Sequence, residues 1–97
     1  MFEWDAGKAR RNETKHGVSF REAATVFLDE NRIERPDLAH SAAERRTICL
    51  GRSDRGRVLC IVFTRRGPDG ETTRLISARQ ASRRERAVYR ALHTDRD

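Results

Sequence analysis

The sequence predicts an α+β fold, with N-terminal helices and a C-terminal helix packed on a twisted antiparallel sheet. Three observations predict it. Val58 to Phe63 is an unbroken apolar run rich in β-branched residues, the pattern of a strand buried on both faces. Turn residues bound that run, Ser53-Asp54-Arg55-Gly56 before it and Gly67-Pro68-Asp69-Gly70 after it, so Arg45 to Arg52 and Glu71 to Ala78 read as its antiparallel neighbours. Two further segments carry apolar residues at helical spacing behind Ser-x-x-Glu signals, one from Ser19 and one from Ser82.

Taken in order, Phe2-Glu3-Trp4 is short and extended, suited to a sheet edge. Asp5 is a good N-cap for a helix reaching His16, and Gly17 is a natural residue to end it. That helix is polar: its only inner face is Ala9, Asn12, Glu13 and His16. Such a thin face suggests a second task, meeting a partner or a substrate. Ser19 to Leu28 is stronger, because Phe20, Ala23, Ala24, Phe27 and Leu28 make one apolar stripe that can cover the sheet. Arg32-Ile33-Glu34 reads as a short strand, and Pro36 to Ala43 as a polar connection containing His40. In the last helix Ala81, Val88, Tyr89 and Leu92 form the inner stripe and Arg83, Arg86 and Arg90 the outer one, with a frayed tail after His93.

The 97 residues fit one domain, residues 1–97, with one modest core. No apolar stretch is long enough to cross a bilayer. The acidic opening Met1-Phe2-Glu3-Trp4-Asp5 lacks the apolar region of a signal peptide, so the expected compartment is the cytoplasm. Net charge is +6 and is unevenly spread. Residues 1–40 carry seven bases and eight acids, net −1; residues 41–97 carry fourteen and seven, net +7. The sheet and last helix therefore form the half that should meet a polyanion. All the bases but Lys8 and Lys15 are arginines, whose planar guanidinium groups suit phosphate, although a high-GC genome would also enrich them. No CxxC, no His/Cys pair at metal spacing and no carboxylate cluster for two metals is visible, so neither metal nor cofactor is expected.

Register assigns the faces. Pairing Leu50 with Leu59 and Phe63 with Leu75 puts Ile48, Leu50, Leu59, Ile61, Phe63 and Leu75 on a core face. Arg45, Thr47, Cys49, Cys60, Val62, Thr64, Arg66, Arg74 and Ile76 then share a smaller, basic face. Cys49 falls opposite Cys60, where a cross-strand disulfide is geometrically open and a reduced pair is the expected cytosolic state.

Such a basic sheet allows RNA cleavage without a metal. The RNA's own 2′-hydroxyl attacks the adjacent phosphate, which requires a base, an acid and cations for the developing charge. Arg66, Arg74 and Arg79 could hold the phosphate, and the proton carriers on offer are His40, His16, Glu85, Glu44 and Tyr89. Each also has a structural explanation: His16 closes a helix, Glu85 completes a capping box, Tyr89 lies on an inner stripe. The residues alone reach no further than a small basic α+β domain that binds nucleic acid.

The order of motifs adds more. FEWD, KHGVSFREA, HSxxER and ISARxAxxxER, spread through nearly the whole chain, make it similar to the BrnT family of bacterial ribonuclease toxins. The resemblance implies a type II toxin with a RelE-like fold that cuts RNA and halts translation. It implies a BrnA-like ribbon-helix-helix antitoxin as partner, with DNA bound only through that antitoxin and no membrane. Joined to the register argument, it makes the catalytic candidates His40, Arg65, Arg66, Arg74, Arg79 and Glu85, and the RNA-binding ones Lys15, His16, Arg45 and Tyr89. The competing expectations are a non-catalytic nucleic-acid-binding module and a toxin-like corepressor that binds the antitoxin without cutting RNA.

Overall fold

The computed structural model describes residues 1–40 and 42–93; the tail expected to fray lies outside them. Five strands form one sheet: β1 (Phe2–Glu3), β2 (Ile33–Pro36), β3 (Thr47–Arg52), β4 (Val58–Arg66) and β5 (Thr72–Gln80), in the order β1-β5-β4-β3-β2. The meander β3-β4-β5 is antiparallel with β4 central, and β2 pairs antiparallel with β3. The sheet is nonetheless mixed, because β1 runs parallel to β5 through Phe2↔Thr73 and Glu3↔Arg74. A wholly antiparallel sheet was expected. The helix that follows β1 carries the chain away before any hairpin can form.

Helix α1 (Ala6–His16) has Asp5 as N-cap, its side chain accepting from the Lys8 N–H, and ends at Gly17 with φ 68°. A side chain at Gly17 would be strained there. Helix α2 (Phe20–Thr25) starts at Ser19, whose hydroxyl accepts from the Glu22 N–H, and tightens into a 3₁₀ turn, Val26–Leu28. That tightening breaks the expected stripe: Val26 is buried, while Leu28 is 83% exposed. Helix α3 (Arg83–Ala91) opens with a complete capping box between Ser82 and Glu85. Ala81 and Tyr89 are buried beneath it, but Val88 and Leu92 stay exposed.

The two sheet faces are covered by different helices. On the first, Phe20, Ala23 and Val26 bury with Cys49, Leu59, Ile61, Phe63, Leu75 and Ala78, and Ala9 of α1 packs beside them. On the second, Ala81 and Tyr89 bury against Val58, with Ile33 and Leu50 alongside. The expected face of β4 is correct, but that of β3 is reversed. Leu50 pairs with Cys60 and Cys49 with Ile61, so Cys49 and Gly51 face the main core while Ile48 and Leu50 face the other side. The cause is the connection between these strands. It spans residues 53–57, closed by Ser53 N–H to Arg57 C=O at 2.8 Å, one residue longer than the expected turn. One added residue flips every side chain of the strand. Gly51 is required by the packing, since a Cβ there would come within 2.7 Å of Val26 Cγ1. Cys49 and Cys60 therefore lie on opposite faces, and both are free thiols.

Candidate active site

The second face carries a cleft of about 310 Å³. Its apolar floor includes Ile48, Cys60, Val62 and Ile76. Ile76 is present because β5 bulges: Phe63 pairs with Leu75 but Val62 with Ser77, leaving Ile76 as the extra residue. Asp37, His40 and Arg46 line the cleft from the β2–β3 side, and Arg79 lines it from β5.

His40 ends a 3₁₀ turn, Leu38–His40, that starts beside Asp37. Its Nδ1 lies 3.2 and 3.3 Å from the two carboxylate oxygens of Asp37. Asp37 is buried, and its N–H is fixed to the Arg46 C=O at 2.8 Å. A buried carboxylate on Nδ1 sets the ring's tautomer and turns Nε2 away from it, the geometry that makes an imidazole useful as a base.

Across the cleft, Arg79 and Glu85 form a two-pronged pair, Nη1–Oε1 at 2.7 Å and Nη2–Oε2 at 2.9 Å. Glu85 Oε1 also accepts the Ser82 N–H at 2.8 Å. The Arg79 guanidinium, helped by Ser82, holds the Glu85 carboxyl down to about 2 against the pull of desolvation. Glu85 is thus a fixed anion at neutral pH and has no proton to give. It orients Arg79, whose side chain is 44% exposed and can reach a ligand. In the floor, burial raises the Cys60 thiol pKa above its ordinary value, so Cys60 is a neutral surface there.

The other expected cations do not join this cleft. Arg65 points to the first face, with its guanidinium carbon 5.1 Å from the centre of the Phe63 ring. Arg66 pairs with Glu44 at 3.2 Å, an exposed contact. Arg74 lies on the expected face, opposite Thr64, but pairs with Glu3 of β1 at 2.9 Å. The expected gathering of Arg66, Arg74 and Arg79 around one phosphate does not occur, because the first two are drawn to acids outside the cleft. Arg45 is exposed and holds Thr64 through its backbone C=O. Tyr89 is buried and donates its hydroxyl to Asp29 at 2.6 Å, away from the cleft. Lys15 and His16 end α1, which packs on the first face.

Asn12 is not a contact surface either. Its Nδ2 donates to the Val18 and Ala78 carbonyls at 3.0 and 2.8 Å, and its Oδ1 accepts the Ala78 N–H at 3.1 Å. What sequence reasoning missed are Asp37 and Arg46. Asp37 has a legible signal, its i,i+3 spacing to His40; Arg46 becomes visible only once the β3 register is known. Among the described residues no three His, Cys, Asp or Glu side chains gather as metal ligands, and no helix is long and apolar enough to cross a membrane.

A cleft of this kind, cationic on one wall with an oriented histidine on the other, on a small mixed sheet, suits a ribonuclease toxin of a type II toxin–antitoxin system. Residues 4–85 match the family model described as "Ribonuclease toxin, BrnT, of type II toxin-antitoxin system". The chain belongs to the BrnT family. The crystal structure of the Brucella abortus ribonuclease toxin BrnT shares the fold at a TM-score of 0.65 and 24% identity, over 86% of this chain and 99% of that one. No curated protein matches.

Proposed function

We propose that this chain is an endoribonuclease that cuts RNA through the RNA's own 2′-hydroxyl, without a metal ion, in the cleft between His40 and Arg79. The observation that carries this reading is the shared cleft itself, lined by the Asp37–His40 pair on one side and Arg79 on the other. His40 Nε2 takes the 2′-hydroxyl proton. The 2′ oxygen bonds to phosphorus and the bond to the 5′ oxygen breaks. That oxygen takes a proton from water, leaving a 2′,3′-cyclic phosphate and a 5′-hydroxyl. Arg79 and Arg46 stabilise the charge that grows on the phosphate oxygens. Glu85 positions Arg79 and carries no proton. Arg65, Arg66, Arg74, Arg45, Lys15 and His16 serve only to draw the polyanion toward the protein. The sheet and its helices are read as RelE-like. The site of action is the cytoplasm, the consequence arrested translation, and the partner a BrnA-like ribbon-helix-helix antitoxin that also supplies any contact with DNA.

Incubating purified protein with RNA in EDTA and mapping the new ends tests this. Cyclic phosphates and 5′-hydroxyls are expected, whereas 3′-hydroxyl ends or dependence on added metal would sink the chemistry. A second reading has its own support, since Arg66, Arg74 and Arg79 are each paired to an acid: a non-cutting protein that serves its antitoxin as corepressor. Expression without antitoxin separates the two, because only the nuclease arrests growth.

A further inference from the structure

The second face holds more room than one phosphate needs. α3 touches the sheet through Ala81 and Tyr89, which bury against Val58. Toward its N-terminus the helix stands off the strands, and a slot of about 410 Å³ opens between them. Ile33, Ile48 and Leu50 line the strand side, Val88 the helix side, and the exposed Arg35 and Arg84 stand at its edge. The slot and the catalytic cleft share Ile48 and Cys60, and the bonded pair Arg79–Glu85 stands where they meet. They are two arms of one depression.

We propose that this slot is a nucleobase subsite. The base next to the phosphate held by Arg79 leaves its stack and lies between Val88 and the Ile48–Leu50 surface, while Arg35 and Arg84 take neighbouring phosphates. This deepens the nuclease reading and rests on it. Three features of the slot fit a base. Its volume lies within the roughly 300–1,000 Å³ usual for ligand clefts. Its two apolar walls match the two faces of a flat ring. Its one acidic lining residue, Glu85, is already neutralised by Arg79, which leaves Arg35 and Arg84 to favour a polyanion. A duplex keeps its bases stacked and paired, so the substrate is single-stranded RNA or an unpaired loop.

The test uses a short single-stranded RNA made uncleavable by 2′-O-methylation, and the same strand with an abasic residue at each position in turn. Binding is read by fluorescence anisotropy. Wild type should lose about tenfold in affinity for one abasic position, the size expected when the faces of one base lose their burial against aliphatic walls. Val88→Trp changes an exposed side chain and fills the slot. It should bind the intact strand about tenfold more weakly and no longer distinguish the abasic one, while Val88→Ala, which thins one wall but leaves the slot open, should weaken binding by less and still distinguish the two strands. Equal binding of intact and abasic strands by wild type would overturn the subsite. So would a Val88→Trp protein that binds RNA normally but has lost its antitoxin, because the slot would then be a protein dock. An unmodified strand that binds as expected yet is never cut supports the subsite and defeats the nuclease reading instead.

Discussion

Asn12 of α1 holds Ala78 of β5 by both backbone groups, accepting its N–H at 3.1 Å and donating to its C=O at 2.8 Å. β1 covers only Thr73 and Arg74 of β5, so beyond them the strand edge is open. The carboxamide stands in for the missing strand and pairs both backbone groups of the buried Ala78. Asn12→Ala should cost about 2–3 kcal/mol, the order expected when buried partners lose their bonds. For a chain this size that is a drop in Tm of roughly 10–20 °C. Asn12→Asp should fare no better, having no N–H for the two carbonyls. Cleavage measured well below the new Tm should be unchanged, because α1 lies on the face opposite the cleft. A normal Tm for either variant would contradict the account of this contact.

Glu85 should behave as a positioning group. Its folded pKa, about 2, lies below the ordinary 4.5. Ionised Glu85 therefore favours the folded state fully above pH 4.5, and that contribution disappears as pH falls toward about 2. Glu85→Gln should flatten the acid side of the stability–pH curve across this window, as urea unfolding at several pH values would show. It should also slow cleavage by about tenfold, the scale of a misplaced transition-state donor, without altering the pH profile between 6 and 8. A changed neutral profile would mean that Glu85 carries a proton after all.

The thiols should be inert. Burial pushes Cys49 up to about 12 and raises Cys60 as well, and a thiol this hard to ionise is a poor nucleophile. Native protein should resist iodoacetamide, and both cysteines should label after denaturation. A Tm that falls on adding reductant would point to a disulfide, which the opposed faces of the two residues forbid.

Arginine substitutions should divide by location. Arg74→Ala breaks a half-buried pair with Glu3, still reached by solvent and worth on the order of 1 kcal/mol; cleavage should stay within about twofold. Arg46→Ala removes a cation from the cleft wall and should lower kcat/KM by about tenfold or more. Kinetics on one single-stranded RNA at fixed salt would check both, and the reverse order would relocate the phosphate.

Much of the fold was legible because its signals are local. Caps at Asp5, Ser19 and Ser82 stand where the side chains bond, and the apolar run of β4 marks the centre of the sheet. What failed depended on non-local partners. Glu22 looks like the closing half of a capping box, but its carboxylate goes to Arg57 and Ser53 across the hairpin loop. Arg57, held by that carboxylate, lies in the loop outside the β3–β4 pairing, and the longer loop goes with the reversed faces of Ile48, Cys49 and Leu50. Of the candidate cleft, His40 and Arg79 could be named from motif and strand position, and both line it. That Arg66 and Arg74 do not line it was not legible, because their partners Glu44 and Glu3 are far away in sequence.

The central claim is that His40 and Arg79 act on the same phosphodiester bond. Cleavage rates for wild type, His40→Ala, Arg79→Ala and the double variant, each confirmed folded by its Tm, test it most directly. Each single substitution should reduce kcat by about 100-fold or more, and the double should lose little beyond the worse single, as groups acting on one step do. Wild-type rates from either single variant, or losses that simply multiply in the double, would contradict it.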